Sequence, residues 1–224
     1  MAIEGFGPDE FQLVLLRRMA DFRPESVEQA VRRLGSDRAR MREANRRWQA
    51  MIRSPRSAHG ARRYESVLGP AEARVRRRAG DLSCTALLWP LSLWPDLRFE
   101  LLLGPGGQVW NEWLVRTPAG NPPVLRTVAD LRPWSCVVGD VGAAFPGARP
   151  LEGSAPSRWG VAFEAPAAEG PEAAGPEAAG PEVAGPEVEA PGAETPGTDG
   201  RTRSWVATFV WGLLQEVHPK DERR

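Results

Sequence analysis

The chain has 224 residues, of which 42% are hydrophobic and 26% charged, and its formal net charge is zero. This composition is typical of a folded globular protein and excludes a wholly disordered chain. Two cysteines, Cys84 and Cys136, are too few for a disulfide scaffold, and two histidines are too few for the usual zinc motifs. Because neither a signal-peptide pattern nor a membrane-spanning apolar run is present, we expect a cytoplasmic protein. From the scarcity of cysteine and histidine we also expect no metal, and we expect no cofactor.

The zero net charge hides an asymmetry along the chain. Residues 1–80 contain 18 arginines and 10 acidic residues, whereas residues 164–200 contain nine acidic residues and no basic one. Arginine supplies every basic residue except Lys220. Together with abundant Ala, Gly and Pro, this preference is typical of a GC-rich genome, so arginine usage alone does not indicate a function.

Three helices are predicted at the start of the chain. The first covers residues 9–22 and ends before Pro24. The second opens at Ser26 and closes at Gly35, and the third is capped by Ser36. Their apolar positions recur at three- and four-residue spacing. These positions are Phe11, Leu15, Met19 and Phe22 in the first helix, Val27, Ala30, Val31 and Leu34 in the second, and Met41, Ala44, Trp48, Met51 and Ile52 in the third.

The pattern changes from helical to extended near residue 80. Residues 61–79 are predicted to be helical, with an interruption at Gly69-Pro70. Residues 97–116 alternate apolar and polar positions around a Gly-Pro-Gly-Gly turn, which predicts a β-hairpin. The apolar run Cys84 to Trp89 and the segments 135–138 and 158–163 are further strand candidates.

Residues 165–200 are predicted to be a disordered acidic spacer. The triplet Gly-Pro-Glu recurs four times between residues 170 and 187 with a period of five. Such a Pro/Glu/Ala/Gly segment buries too little apolar surface to offset the entropy of ordering. A flexible chain of this length would span ~35 Å root-mean-square.

Residues 201–224 are predicted to form a C-terminal apolar helix capped by Ser204. Apolar residues cover a wide arc of that helix. Aromatic and β-branched residues are also frequent here, so a strand is the alternative.

The sequence therefore predicts an α+β fold with three parts. Residues 1–164 form the body, in which a helical group (1–80) packs on a small, mainly antiparallel sheet within a strand-rich part (81–164). The spacer (165–200) and the C-terminal helix (201–224) follow the body.

The principal functional hypothesis is a non-catalytic interaction or regulatory protein with a protein partner. An apolar helix on a long tether is typical of segments that dock in a groove of another protein, although it could also pack on its own body. Tryptophans on a hairpin are typical of interface anchors. The predicted partner-binding residues are Trp205, Phe209, Trp211 and Leu213 on the helix, and Trp110 and Trp113 on the hairpin.

Two alternatives come from other classes of protein. Arg38, Arg42 and Arg46 recur every four residues on the third helix, and their mutual repulsion favours an anion such as a nucleic-acid backbone. A carboxylate-based enzyme would use Asp140, which follows an apolar strand candidate, or Glu100 and Glu112 facing each other across the hairpin. Phosphate-loop and nucleophile-elbow motifs are absent, and we expect both cysteines to be buried and inert.

Overall fold

The computed structural model describes residues 5–55, 57–155, 157–166 and 202–220. Within these residues the α+β class is confirmed, with five α-helices and two four-stranded antiparallel sheets. The helices are α1 (Pro8–Met19), α2 (Pro24–Arg33), α3 (Arg38–Arg53), α4 (Ala61–Leu68) and α5 (Val138–Ala144). The first sheet has the order β1 (Ala73–Ala79), β2 (Leu82–Pro90), β3 (Leu97–Leu103), β4 (Val109–Arg116), and the second has β5 (Arg149–Ala155), β6 (Arg158–Pro166), β7 (Thr202–Val210), β8 (Leu213–Pro219).

The predicted apolar faces of the first three helices are confirmed except at two C-terminal positions: α1 ends at Met19, before the predicted Phe22, and Ile52 of α3 is 38% exposed. Phe11, Leu15 and Met19 are at most 1% exposed. The helix starts differ slightly from the prediction. Helix α2 begins at Pro24, whose fixed φ and missing N–H suit a first helical position. Helix α3 is capped by Asp37, whose carboxylate accepts a hydrogen bond from the Arg40 amide at 2.8 Å.

The predicted helix over residues 61–79 is wrong in its second half. Helix α4 ends at Leu68, and residues 73–79 form strand β1 instead. Strand β1 pairs with β2 along its whole length, so its backbone groups are satisfied by a neighbouring strand rather than along a helix. The helical part of the body therefore ends before residue 70.

The β-hairpin over residues 97–116 is confirmed. Strands β3 and β4 pair in antiparallel register, with Leu97 opposite Arg116 and Phe99 opposite Leu114. The loop between them is the predicted Gly104–Gly107 turn, where Gly106 and Gly107 both have positive φ. The run from Cys84 to Trp89 is also confirmed as a strand, since it forms most of β2.

The N-terminal helices cover one face of the first sheet. The Phe11 ring lies 4.9 Å from the Phe99 ring, and the Tyr64 ring of α4 lies 5.7 Å from it. Trp48 of α3 completes this aromatic cluster at 5.2 Å from Phe11. The tryptophan surplus is thus used in part to fill the space between the helices and the sheet.

The second sheet is larger than the sequence indicated. Strand β6 confirms the candidate at 158–163 but extends to Pro166, so the body continues past residue 164. Residues 135–138 do not form a strand; Val137 makes one isolated bridge to Leu213, and helix α5 begins at Val138. Phe145, after α5, packs on Phe163 of β6 with ring centroids 4.9 Å apart. Each sheet therefore has its own helical cover.

The predicted C-terminal helix is wrong, because residues 202–219 form the hairpin β7–β8. Strand β7 pairs with β6 from Pro166–Thr202 to Arg158–Val210, and with β8 on its other side. Trp205, Ala207 and Phe209 have the two-residue spacing of one strand face and pack in the core of the second sheet. The same aromatic and β-branched residues that allow a helical arc suit a half-buried strand better.

A two-residue turn, Trp211-Gly212, reverses the chain between β7 and β8. Their φ values are 51° and 75°, the left-handed values that a tight hairpin turn requires at both central positions. Gly212 supplies this conformation without strain. Trp211 is an unusual residue for such a position.

Residues 167–200 of the predicted spacer lie outside the described residues. Ala165 and Pro166 belong to strand β6 rather than to a spacer. In the described part of the chain, no helix combines the length and the apolar character needed to cross a membrane.

Candidate functional site

The predicted docking residues of the C-terminal segment are mostly core residues. Phe209 and Leu213 are fully buried, and Trp211 is 8% exposed. Trp205 is half-buried, and its indole N–H donates to the Ala165 carbonyl at 3.2 Å. Since exposing these side chains would remove the hairpin from the fold, they do not form a free docking surface.

The β7–β8 turn is hydrogen-bonded to residues of both sheets and of helix α5. The Trp211 carbonyl accepts a hydrogen bond from the Leu114 amide of β4 at 2.7 Å, and the Trp211 amide donates to the Ser157 carbonyl at 2.8 Å. The Gly212 carbonyl accepts from the Val138 amide at 3.1 Å. These bonds join the first sheet, the second sheet and helix α5 at one point.

The two tryptophans of the β3–β4 hairpin have different surroundings, because the register shifts between the pairs Leu102–Asn111 and Leu103–Val109 and skips Trp110. Trp110 is 38% exposed, and its indole lies against Gly104, where a Cβ would be only 2.1 Å from the ring. Trp113 lies opposite Glu100, on the face directed away from the helices. Trp110 therefore packs on the turn of its own hairpin, whereas Trp113 lies beside Glu100.

Trp113 forms an aromatic pair with Trp159 of β6. The ring centroids are 6.2 Å apart and the planes are inclined by 50°. The Trp113 indole N–H donates to Glu100 at 3.0 Å, and Arg77 donates to the same carboxylate at 3.1 Å. Glu100, which is only 4% exposed, thus fixes the orientation of the Trp113 ring.

The two rings line an open apolar groove between the sheets, which we call the tryptophan groove. Two hollows of about 280 Å³ each meet at Trp113 and Val138. The second hollow continues along β4 towards Arg116 and Asp140. The first hollow is lined by Asn111, Trp113, Val138, Gly142, Ala148, Pro150, Trp159, Gly160 and Val161.

Small residues keep this groove open. Gly142 of α5, Ala148 and Gly160 place little side-chain volume beside the rings, so both indoles stay half-buried instead of fully covered. Asn111 is the one polar side chain of the first hollow; its Oδ1 accepts from the Glu112 amide at 2.9 Å. Asn111 Nδ2 bonds to none of the residues that the structure describes, which leaves a donor at the groove.

Trp159 is the groove residue that sequence reasoning missed. The strand containing it was predicted, and a tryptophan at a strand end beside an apolar alternation was the available signal. The sequence could not show that Trp159 meets Trp113, because the two residues lie on different sheets.

The predicted arginine stripe lies on α3 and is partly neutralised. Arg38 pairs with Glu28 at 3.2 Å, and Arg46 pairs with Glu43 at 2.6 Å. Arg42 is exposed, and it forms no ion pair within the described part of the chain. The stripe is therefore a mixed-charge surface rather than a row of three unpaired cations.

The Glu100 and Glu112 carboxylates do not face each other. Glu100 lies opposite Trp113 and Glu112 lies opposite Leu101, which places the two side chains on opposite faces of the sheet. Glu112 faces α4, where it is hydrogen-bonded to Tyr64. Burial raises the pKa of Glu112 above its ordinary value, although the Tyr64 hydrogen bond and the nearby Arg63 charge oppose this shift.

Asp140 is held in an ion pair that connects two elements of the fold. Its carboxylate accepts hydrogen bonds from Arg116, the shortest at 2.9 Å from Nε and 2.7 Å from Nη2, and from the Val137 amide at 2.9 Å. It therefore joins β4 to the start of α5, and both charged side chains are largely buried. With Glu100 and Glu112 separated, no pair of the predicted acids converges on one reacting position.

Both cysteines are buried, as expected. Burial raises the pKa of the Cys136 thiol to about 11, so the reactive thiolate is scarce at neutral pH. Within the ranges that the structure describes, no group of three or more His, Cys, Asp or Glu side chains is arranged to hold a metal ion.

Comparison with known proteins gives one structural likeness. No family model matches the chain, and no curated protein matches it. A crystal structure from Streptococcus mutans, described provisionally as a beta-lactamase inhibitor protein, aligns with 74% of this chain and 85% of its own. The TM-score is 0.25 and the sequence identity 8%, and a likeness this low establishes neither the fold nor the function of this chain.

Proposed function

We propose that this chain is a non-catalytic interaction protein that binds a protein partner through the tryptophan groove. The observation that carries the proposal is the half-buried pair of Trp113 and Trp159 in an apolar groove. Half-buried tryptophans in a pocket are frequent anchors of protein interfaces, because a large ring buries much additional area on binding and has few rotatable bonds.

The chemistry of the lining supports binding over catalysis. The first hollow has no charged side chain, and the charged pair at the end of the second hollow, Arg116 and Asp140, is committed to an ion pair. An apolar partner side chain could fill the hollow while Asn111 Nδ2 donates to a partner carbonyl. This arrangement matches an apolar interface centre with a polar group at its edge.

Site-specific photocrosslinking tests the proposal in the cells that make the protein. A benzophenone amino acid at Asn111 should crosslink a partner protein, and the same group at Val124, which is 70% exposed and outside the groove, should not. The crosslinked band is then identified by mass spectrometry.

Two variants separate the groove from the rest of the second sheet. Trp159→Ala should abolish the crosslink at Asn111, because it removes one wall of the groove. Trp205→Ala removes a ring of the same size outside the groove and should leave the crosslink intact. A crosslink that survives Trp159→Ala in a folded protein would refute the groove as the binding site.

A further inference from the structure

A second groove lies among the three N-terminal helices, and neither the partner hypothesis nor the aromatic pair accounts for it. We call it the arginine groove. Its volume is about 260 Å³. Arg17, Arg38 and Arg42 stand at its rim with the single carboxylate Glu28, and the apolar residues Ala20, Pro24, Val27, Val31 and Met41 complete the lining.

The rim is basic even after its internal ion pairs are considered. Glu28 is shared between Arg38 at 3.2 Å and Arg32 at 3.3 Å, so one carboxylate serves two guanidinium groups. Arg17 is paired with Asp21 at 3.2 Å, and the side chains of Arg38 and Arg17 remain 63% and 40% exposed. Arg42 is exposed and pairs with no described residue. The rim therefore favours a ligand with several negative charges.

The floor favours an apolar side chain from that ligand. Val27, Val31 and Met41 form the base of the groove at 2–6% exposure, and the half-buried Ala20 adds a small side chain. No lining residue is aromatic, so the groove lacks the ring platform on which nucleic-acid bases stack. Its volume suits one or two aliphatic side chains rather than a whole small molecule.

From this charge complementarity and the aliphatic floor, we infer that the arginine groove binds an acidic, amphipathic segment of a partner protein. The partner would place a leucine-like side chain between α1, α2 and α3, with carboxylates towards Arg38 and Arg42. This site is independent of the tryptophan groove, so failure of either proposal leaves the other standing.

The test uses the full chain and a defined probe, a fluorescein-labelled 16-residue peptide with leucine at every third or fourth position and glutamate elsewhere. Fluorescence anisotropy at 50 mM salt should show saturable binding that weakens at 300 mM salt. A peptide with glutamine in place of glutamate should bind at least about tenfold more weakly, since it keeps the apolar face and loses the charge.

Three variants locate the site. The double change Arg38→Glu and Arg42→Glu should weaken binding of the acidic peptide about tenfold or more. Arg46→Glu is the matched control, because Arg46 belongs to the same stripe but not to the groove, and it should change the affinity less than about twofold. Ala20→Phe fills the floor without changing the charge and should also weaken binding, with circular dichroism confirming the fold.

Several outcomes would overturn the inference. One is that the acidic peptide does not bind. Another is that Arg46→Glu weakens binding of the peptide as much as the double change Arg38→Glu and Arg42→Glu does. A 16-nucleotide thymidine oligomer could also bind more tightly than the acidic peptide and lose affinity when Arg38, Arg42 or Arg46 is replaced. That result would favour nucleic acid as the ligand instead. Displacement of the probe by a synthetic peptide of residues 167–201, with the same dependence on Arg42, would replace the partner by the chain's own acidic segment.

Discussion

Two tryptophan-bearing hairpins of the molecule, β3–β4 and β7–β8, differ in how their turns are specified. The first turn is a Gly-Pro-Gly-Gly loop whose residues suit the required conformation by themselves. The second turn places Trp211 in the left-handed region, where a bulky residue is disfavoured by about 1–3 kcal/mol. The second hairpin forms because its turn is bonded to β4, Ser157 and α5.

This difference distinguishes a hairpin whose turn is specified by its own residues from one whose turn is specified by tertiary contacts. The β3–β4 hairpin has a sequence signal within twenty residues, whereas the β7–β8 hairpin depends on partners that lie about 55 to 100 positions earlier in the chain. Changes made in one hairpin, with the other hairpin as the reference, test this difference.

Removal of the second hairpin should unfold the protein. A chain ending at Pro166 loses Phe209, Leu213 and Leu214, all fully buried, and leaves β6 paired only with β5, so that its other edge is exposed. We expect no cooperative thermal transition by circular dichroism. This contrasts with the expectation from a tethered docking helix, whose deletion would leave the body folded.

The matched control deletes only residues 167–201. Pro166 and Thr202 are directly paired neighbours, so a two-residue Asn-Gly turn can connect them. Shortening this connection should leave the melting temperature unchanged or slightly raised, because closing a shorter loop loses less entropy. A large loss of stability here would show that the deleted segment contributes to the folded state.

Gly212→Ala should be strongly destabilising, by roughly 3 kcal/mol or more. A Cβ at Gly212 would lie 2.8 Å from Trp113 Cβ and 2.9 Å from the Leu114 carbonyl, in addition to the unfavourable φ. Gly107→Ala in the first hairpin is the control, since φ is 80° there but nothing lies within 4 Å of the added Cβ. It should lose only about 1–2 kcal/mol. Urea denaturation measures both, and equal losses would contradict the tertiary explanation.

Trp211→Asn tests whether side-chain burial outweighs local preference at the second turn. Asparagine suits a left-handed turn position and relieves about 1 kcal/mol of backbone strain. Loss of the buried indole removes roughly 3–5 kcal/mol. We therefore expect a net destabilisation of about 2–4 kcal/mol by urea denaturation. A stabilised variant would mean that local turn preference governs this hairpin after all.

The smallest effect is expected from Glu112→Gln, read as a function of pH. Because burial raises the folded-state pKa of Glu112, the native state binds the proton more tightly than the unfolded state. The ionised carboxylate therefore reduces stability above this pKa, and the reduction disappears as the pH falls below the unfolded value. Glutamine can still accept from Tyr64, so the variant should gain stability relative to the native chain as the pH rises from 4 to 7.

Glu216→Gln on β8 is the control for that titration. Glu216 is exposed on the second hairpin, so its replacement makes the same chemical change outside the buried surroundings of Tyr64. Parallel urea denaturation series at several pH values give the comparison. A difference between Glu112→Gln and the native chain that does not vary with pH would remove the electrostatic explanation.

The sequence by itself determined the elements whose signals are local. The faces of α1 to α3 followed from helical spacing, and the β3–β4 hairpin followed from alternation around a glycine-rich turn. The burial of both cysteines was also predictable, because free cysteine within an apolar segment behaves as a small apolar residue.

The candidate site was predictable only in part. Trp113 was selected as a surface tryptophan on the hairpin, and it does line a groove. Its partner Trp159 was not selected, and Phe209, Trp211 and Leu213 were selected but are buried. A tryptophan has the same local pattern in a core and at a surface, and what covers it depends on residues far away in the chain.

The tertiary structure alone decided between helix and hairpin at the C-terminus, and between strand and helix at residues 73–79. Strand β7 satisfies its backbone hydrogen bonds by pairing with β6, which lies before residues 167–201, and β1 does so by pairing with β2, the next strand along the chain. Such pairing gains energy only after the chain has brought the strands together. The periodicity of apolar residues within one segment cannot show that energy gain. Local periodicity therefore identified the helices, whereas pairing between distant strands determined the second sheet and its groove.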